Sequence, residues 1–228
     1  MNMTMLIQHI LRCVLVVAGA GVMLVLQGCV TPPKPYDYTA YKEAKPASIL
    51  VLPPINGTPE VQATPSVMAQ MTQPLAESGY YVLPVSLVDE TLRSNGMHTP
   101  DDAQQIPVAK LREIFGADAG LYVKVTRYGS VYKVLNSETA VTLEARLVDL
   151  RSGQLLWEGS ASASSAEQAN NNQGGLIGLL VKAVVEQIVA ASTDRSHPMA
   201  GLASQRLLAA GRPNGLLFGP RSPGYGKP

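Results

Sequence analysis

Apolar residues change their spacing several times along the 228-residue chain, and each change marks an element. An unbroken apolar run from Val14 to Leu26 gives way at Gln27 to polar, proline-rich chain. "SILVLPP" (Ser48 to Pro54) is a short continuous apolar run stopped by prolines, the pattern of a strand covered on both faces. Val67, Met68, Met71 and Leu75 then share one helical face. Thr64-Pro65 predicts the start of that helix, and Pro74 a kink near its end. "YYVLPV" (Tyr80 to Val85) reads as a second strand. Ser86 with Asp89 resembles a capping box opening a helix that stops at Asn95-Gly96. A further helix from Pro107 to Phe115 aligns Val108, Leu111, Ile114 and Phe115, and Gly116 ends it. Strand, helix, strand, helix is a crossover order that favours parallel pairing.

Beyond Gly120 the period falls to two. Leu121, Val123 and Val125 alternate with Tyr122, Lys124 and Thr126, and Val131 to Leu135 reads as a short return strand. Val141, Leu143, Ala145 and Leu147 alternate with Thr142, Glu144, Arg146 and Val148. After a turn at Arg151-Ser152-Gly153, Leu155, Trp157, Gly159 and Ala161 share a face. Alternation with tight turns predicts an antiparallel meander covered on one side. The fold class is therefore α/β (α+β): a three-layer arrangement whose mixed sheet has two parallel crossover units followed by a meander, with helices on the sheet faces.

Ser162 to Gly175 is a polar segment expected to be loop. "LIGLLVKAVVEQIVAAS" follows and carries Lys182 and Glu186, four apart and able to pair. Either charge would cost roughly 2.5–3.5 kcal/mol at the centre of a spanning helix, which argues against a membrane span. The segment reads as a buried core helix or as a helix shared between subunits through Leu176, Ile177, Leu180, Val184 and Ile188. A last helix, starting at Asp194 or Ser196, carries Met199, Leu202, Leu207 and Leu208. The tail from Gly211 has no periodicity, though Leu216, Leu217 and Phe218 could fasten it to the domain.

The opening run now gains a meaning. Arg12 precedes it, no acid occurs before Cys29, and Gly28 supplies a small residue at its end: a secretory signal. The alternative, an uncleaved membrane helix, needs roughly 20 apolar residues. Leu26-Gln27-Gly28-Cys29 resembles the bacterial lipobox, which implies cleavage between Gly28 and Cys29 and lipidation of the Cys29 thiol. Val30 stands where an inner-membrane retention aspartate would, so the resemblance points to the outer membrane. The expected organisation is signal peptide over 1–28, tether over 29–46, one α/β domain over 47–210 and an irregular tail over 211–228. Tyr36, Tyr38 and Tyr41 in the tether are expected to be solvated, with docking on the domain or at headgroups the alternative.

Removing residues 1–28 leaves 17 basic and 17 acidic residues, so nothing electrostatic points to nucleic acid. Only His98 and His197 remain after cleavage, and no His/Cys/Asp/Glu grouping has metal-ligand spacing. No G-x-S-x-G elbow or phosphate loop occurs. No enzyme activity, metal or cofactor is expected. Asp118 and Asp149, near strand ends, are expected to stabilise turns rather than recognise a ligand, and Trp157 to be core.

"TPPKPYDYTAYKEAKPASILVLPPINGTPEV", "PLAESGYYVLPVSLVDETLRSNG", "KLREIFGADAGLYVKVTRYGS", "VDLRSGQLLWEGSASASSAE" and "GPRSPGYG" together resemble a family of proteobacterial outer-membrane lipoproteins of unknown function that includes a meningococcal surface antigen. The resemblance implies a fold similar to the amino-terminal domain of the TolB translocation protein and to the curli-secretion lipoprotein and penicillin-binding-protein activator group. It also implies dimers and a part in envelope transport or assembly, and it supplies no catalytic residue. Two functions follow as expectations. One is a non-enzymatic periplasmic adaptor, lipid-anchored, homodimeric and bound to another envelope protein. The other is a carrier of small hydrophobic ligands such as lipids.

Overall fold

A computed structural model of the protein describes residues 35–132, 137–170 and 195–227. Six strands are present among them: β1 (Ser48–Val51), β2 (Ile55–Asn56), β3 (Tyr81–Val82), β4 (Ala119–Tyr132), β5 (Ser137–Asp149) and β6 (Leu155–Ser164). The helices are α1 (Thr39–Ala44), α2 (Ala63–Glu77), α3 (Val85–Ser94), α4 (Pro100–Gln105), α5 (Val108–Phe115), α6 (Ser165–Asn170) and α7 (Ser196–Leu208). The strands form one open mixed sheet in the order β3-β1-β4-β5-β6. β1 pairs in parallel with β3 and β4, and β4, β5 and β6 pair antiparallel, as the change of period predicts.

β2 also pairs with β4, in parallel, beyond the end of β1. The two short strands are one strand interrupted by Pro53-Pro54. Leu52 N–H still donates to Leu121 O at 3.1 Å, but Pro54 has no N–H to offer the next carbonyl, Val123 O. Gln104 of α4 fills that place: its Nε2 donates to Val123 O and to Pro53 O, both at 2.9 Å. α4 itself was not anticipated, although Thr99-Pro100 carries the same N-cap and first-turn proline signal sought at Thr64-Pro65. Thr99 Oγ1 accepts from Asp102 N–H at 3.1 Å.

Ile49, Leu50, Val51 and Leu52 are all fully buried, so the parallel end of the sheet is covered on both faces. The meander is covered on one. Leu121, Val123, Val125, Val141, Leu143, Leu147 and Trp157 are buried, while Lys124, Glu144, Arg146 and Glu158 on the other side are exposed. α7 lies on β4, β5 and β6 and packs against α2, whose Val67, Met68, Met71 and Leu75 are buried as the spacing predicts.

Several boundaries differ from the sequence reading. α2 starts at Ala63, and Thr64 Oγ1 donates to Pro54 O at 3.0 Å rather than capping the helix. α3 begins after Pro84 with no side-chain cap, because Asp89 is held by Arg93 at 2.8 Å instead of reaching back to Ser86. Val131 belongs to the long strand β4, opposite Glu138 of β5, so the return strand starts later than expected. A bulge sets Leu147 opposite Trp157 and Val148 opposite Leu155, which buries Leu156 and leaves Leu155 41% exposed. Ser162 to Ser164 continue β6, and Ser165 to Asn170 are helical rather than loop.

Candidate functional site

Of the sites expected from the sequence, Gly28, Cys29 and the run containing Leu176, Ile177, Leu180, Val184 and Ile188 lie outside the described residues. What the structure supplies is the arrangement of the chain that follows Cys29. From Tyr36 onward the chain belongs to the folded unit, and α1 occupies part of the segment expected to be tether. Tyr41 is 3% exposed, and Lys45 closes α1 in the left-handed conformation at φ 46°. Proline and lysine content suggested solvated chain, but three tyrosines bring enough apolar area to dock it.

They dock on the C-terminal tail. Tyr36 N–H donates to Asn214 Oδ1 at 3.0 Å, and Tyr38 Oη donates to Gly215 O at 2.6 Å. Trp157 Nε1 donates to Asn214 O at 3.0 Å, so the buried tryptophan also holds the tail. Tyr80 Oη donates to Leu217 O at 2.6 Å and lies 2.7 Å from Tyr41 Oη. A phenol has one proton, so Tyr41 must be the donor in that pair. Burial, reinforced by the adjacent Tyr80, pushes the Tyr41 phenol well above its ordinary value; burial likewise raises Tyr80. Farther along, Gly219 N–H donates to Ser78 O and Arg221 N–H to Gly79 O, at 2.8 and 3.1 Å. A side chain at Gly79, where φ is +95°, would overlap Ser222 N. The tail has no helix or strand, as expected, yet its backbone is fixed at both ends.

Charge collects where β1, β3 and β4 begin. Ala47 N–H, Ser48 N–H and Ser48 Oγ donate to Asp118 Oδ2 at 3.0, 3.1 and 3.0 Å. Ser152 N–H and Oγ donate to Asp149 Oδ2 at 3.0 and 2.6 Å. Burial raises both carboxyls, but these donors and the nearby Arg151 outweigh it and hold both below the usual carboxylate range. Asp149 therefore stabilises its turn, as the sequence suggested, whereas Asp118 ties the start of β1 to the start of β4 across 70 residues of chain. Three arginines surround them. Arg151 Nη2 donates to Ala44 O at 2.8 Å, and its Nε lies 3.5 Å from Asp149 Oδ1. Arg221 Nη1 donates to Ala47 O at 3.3 Å, with the guanidinium 5.6 Å from the Tyr81 ring centre. Arg112 Nη1 donates to Ala117 O at 3.2 Å and lies 3.8 Å from Asp118 Oδ1. The three come from α5, the β5–β6 turn and the tail, so no local motif announces the group.

Hollows also open on the surface of the described residues. One of about 510 Å³ lies on the open side of the meander, lined by Tyr122, Lys124, Glu144, Arg146 and Glu158. Another, of about 460 Å³, lies between α3 and α5 and is lined by Tyr81, Leu83, Leu87, Val88, Ile114 and Phe115. Among the described residues, Ser66 Oγ lies 2.7 Å from His197 Nδ1. Gln70 Nε2 occupies the other ring nitrogen, also at 2.7 Å, so the ring is held by an amide rather than by the carboxylate that orients the base of a nucleophile–base–acid set. The contact joins α2 to α7. Among the described residues no group of three His, Cys, Asp or Glu could hold a metal ion.

Comparison with known proteins turns on the segments assembled above. The model of the family described as "Putative lipoprotein GNA1162-like" matches residues 36–221, from the first docked tyrosine to the arginine of the tail. The chain belongs to that family. A Neisseria meningitidis serogroup B protein, "Putative lipoprotein NMB1124/NMB1162", is 46% identical over 206 residues, covering 90% of this chain and 95% of that one. The crystal structure of lipoprotein GNA1162 from Neisseria meningitidis is 49% identical with a TM-score of 0.51, covering 64% of this chain and all of the other. A dodecamer of PelC from Paraburkholderia phytofirmans aligns at 15% identity and a TM-score of 0.42, over 73% of this chain and 91% of the other. Among the described residues, no helix of this family member is long and apolar enough to cross a membrane.

Proposed function

We propose that this protein is an outer-membrane lipoprotein, anchored through lipid on Cys29, that acts as a non-enzymatic periplasmic adaptor in envelope transport or assembly. The observation carrying this reading is its membership of a lipoprotein family, joined to the lipobox-like Leu26-Gln27-Gly28-Cys29. The docked tyrosines add a mechanical consequence. Cys29 is separated from Tyr36 by six residues, and seven steps of extended chain span at most about 25 Å. An adaptor anchored in this way works close to the bilayer rather than at the end of a long leash. Three acyl chains, at about 0.8 kcal/mol per buried methylene, hold far more firmly than one.

Metabolic labelling with palmitate and fractionation of the Cys29→Ala variant test the anchor. The expected result is loss of label and release from the membrane fraction; a variant that still fractionates with the outer membrane refutes it. In-cell crosslinking then tests the adaptor role, which requires an envelope protein captured above background. Self-association through Leu176, Ile177, Leu180, Val184 and Ile188 belongs to the same reading. Leu180→Asp is expected to shift the protein from dimer to monomer in sedimentation.

The hollow between α3 and α5 favours a second reading, carriage of a small hydrophobic ligand. Native mass spectrometry separates the two: co-purified lipid supports carriage, and an empty protein supports the adaptor.

A further inference from the structure

We propose that the end of the sheet where β1, β3 and β4 begin is a membrane-docking surface. It binds anionic phospholipid headgroups through Arg112, Arg151 and Arg221 and sets Tyr81, Leu87 and Ile114 at the acyl boundary. The proposal rests on the lipid-anchor reading, which brings the surface within reach of a leaflet.

The chemistry of the three arginines favours phosphate. A guanidinium offers five N–H donors in a planar fork that matches phosphate oxygens. In hydrogen bonds among the described residues, Arg151 uses Nε and Nη2, while Arg221 and Arg112 each use only Nη1. Asp118 Oδ1 faces Arg112 at 3.8 Å and Asp149 Oδ1 faces Arg151 at 3.5 Å, while the Oδ2 of each acid is taken by Ala47 and Ser48 or by Ser152, so each of these pairings leaves further N–H donors of the fork for a phosphate. Arg221 forms no ion pair among the described residues. Lys42 and Lys45, both exposed, flank the same turn between α1 and β1. With Arg112, Arg151, Arg221, Lys42 and Lys45 set against Glu43, Asp118 and Asp149, a chain of neutral overall charge is locally basic here.

Apolar area borders the charge. Ser48, whose hydroxyl reaches Asp118, and Tyr81, which lies under Arg221, both line the hollow between α3 and α5. Leu87 is 61% exposed, Tyr81 50% and Ile114 41%, in a molecule whose other large apolar residues are mostly buried. Cations beside exposed aliphatic and aromatic residues are what interfacial binding requires, with attraction to anionic lipid added to burial at the headgroup boundary. The covalent path agrees. The lipid-bearing residue would lie seven positions before Tyr36, and α1 leads from Tyr38 to Ala44, shortly before Ala47; Arg151 and Arg221 hold the carbonyls of these two alanines.

The test uses the mature lipidated protein in vesicles of phosphatidylcholine alone or mixed with phosphatidylglycerol. Modification of Arg151 and Arg221 by phenylglyoxal and amide exchange at residues 44–48 are read by mass spectrometry. An arginine at an anionic surface contributes enough to slow its modification about fivefold, and the effect is screened by salt. The expected result is slowing in phosphatidylglycerol vesicles, reversed at high salt. Arg151→Gln with Arg221→Gln removes both guanidiniums and is expected to abolish the lipid-dependent part of the amide protection, read as the difference between the two vesicle types for the same variant. Leu87→Gln, at an exposed site that leaves the fold intact, is expected to weaken it. Equal modification in both vesicles overturns the proposal. So does equal protection by inorganic phosphate added to phosphatidylcholine vesicles, or protection that needs envelope extract and therefore marks a protein partner. Flotation separates this outcome from failure of the anchor. Protein that floats with phosphatidylcholine but shows unprotected arginines keeps the anchor and loses the docking surface. Protein that fails to float with phosphatidylcholine has lost the anchor; flotation with phosphatidylglycerol vesicles alone would then support the surface, and its absence would refute it.

Discussion

Tyr80→Phe is expected to damage the join between the docked N-terminal segment and the tail more than Tyr41→Phe, although each removes a single oxygen. The reason is the direction of the bonds. Tyr41 donates to Tyr80, and Tyr80 donates to Leu217 O. Tyr41→Phe removes one hydrogen bond and strands nothing, because Tyr80 keeps its acceptor; about 1 kcal/mol is expected. Tyr80→Phe removes both bonds and leaves the Tyr41 hydroxyl, on a residue 3% exposed, without a partner. Two bonds at about 1 kcal/mol and an unpaired buried hydroxyl at about 1–3 kcal/mol give a loss of about 3–5 kcal/mol. The double variant removes the stranded hydroxyl as well and should lose only about 2 kcal/mol, less than Tyr80→Phe alone. Urea unfolding followed by the fluorescence of Trp157 measures all three, and the tryptophan is suited to it because its indole holds Asn214 of the same tail. Equal losses for the two single variants, or a double variant equal to their sum, would refute the bond direction and with it the account of how the tail is held.

Gly79→Ala is expected to cost about 2–4 kcal/mol, combining left-handed backbone strain with overlap against the tail at Ser222. Gly116→Ala, also at positive φ but with nothing within 4 Å, should cost only about 1–2 kcal/mol, so equal melting temperatures for the two variants would show that the tail does not press on Gly79. Gln104→Leu leaves Val123 O and Pro53 O without their donor, and a drop of about 2–6 °C in melting temperature is expected. An unchanged melting point would mean that water replaces the amide. Acid should weaken the fold through Asp118 and Asp149. Their native carboxyls titrate below the unfolded range, so their contribution is complete above that range and is lost as pH falls through the native values. Asp149→Asn should show a shallower loss of stability below about pH 4 than the parent protein, and parallel curves would exclude Asp149 as a contributor. At the alkaline end the sign reverses. Tyr41 and Tyr80 are raised, so stability is complete below the unfolded tyrosine value and falls as pH rises beyond about 10; Tyr41→Phe should blunt that fall in the same denaturation assay.

Local spacing determined the main strands and helices of this protein and the mixed character of its sheet. A continuous apolar run stopped by prolines became β1, buried on both faces, and the switch to alternation marked the boundary between parallel and antiparallel pairing. Both signals come from the backbone's own periodicity, which a sequence displays directly. Asp149, at the end of β5, was legible as a turn residue for the same local reason, whereas the hold of Asp118 on Ala47 and Ser48 was not. What the sequence concealed was every contact between distant segments. Residues 36–46 read as tether because proline and lysine are common in solvated chain, and only the bonds of Tyr36 to Asn214 and of Tyr38 to Gly215, more than a hundred residues away, show this segment joined to the domain. Gln104 looks like any surface glutamine until the fold brings it to the gap left by Pro54. Arg112, Arg151 and Arg221 carry no signal, since α5, a turn and the tail meet only after the sheet has formed. Spacing along the chain sets which face of an element is apolar; which faces and carbonyls then meet is decided by the path of the whole backbone, and that is where the candidate surface of this protein was made.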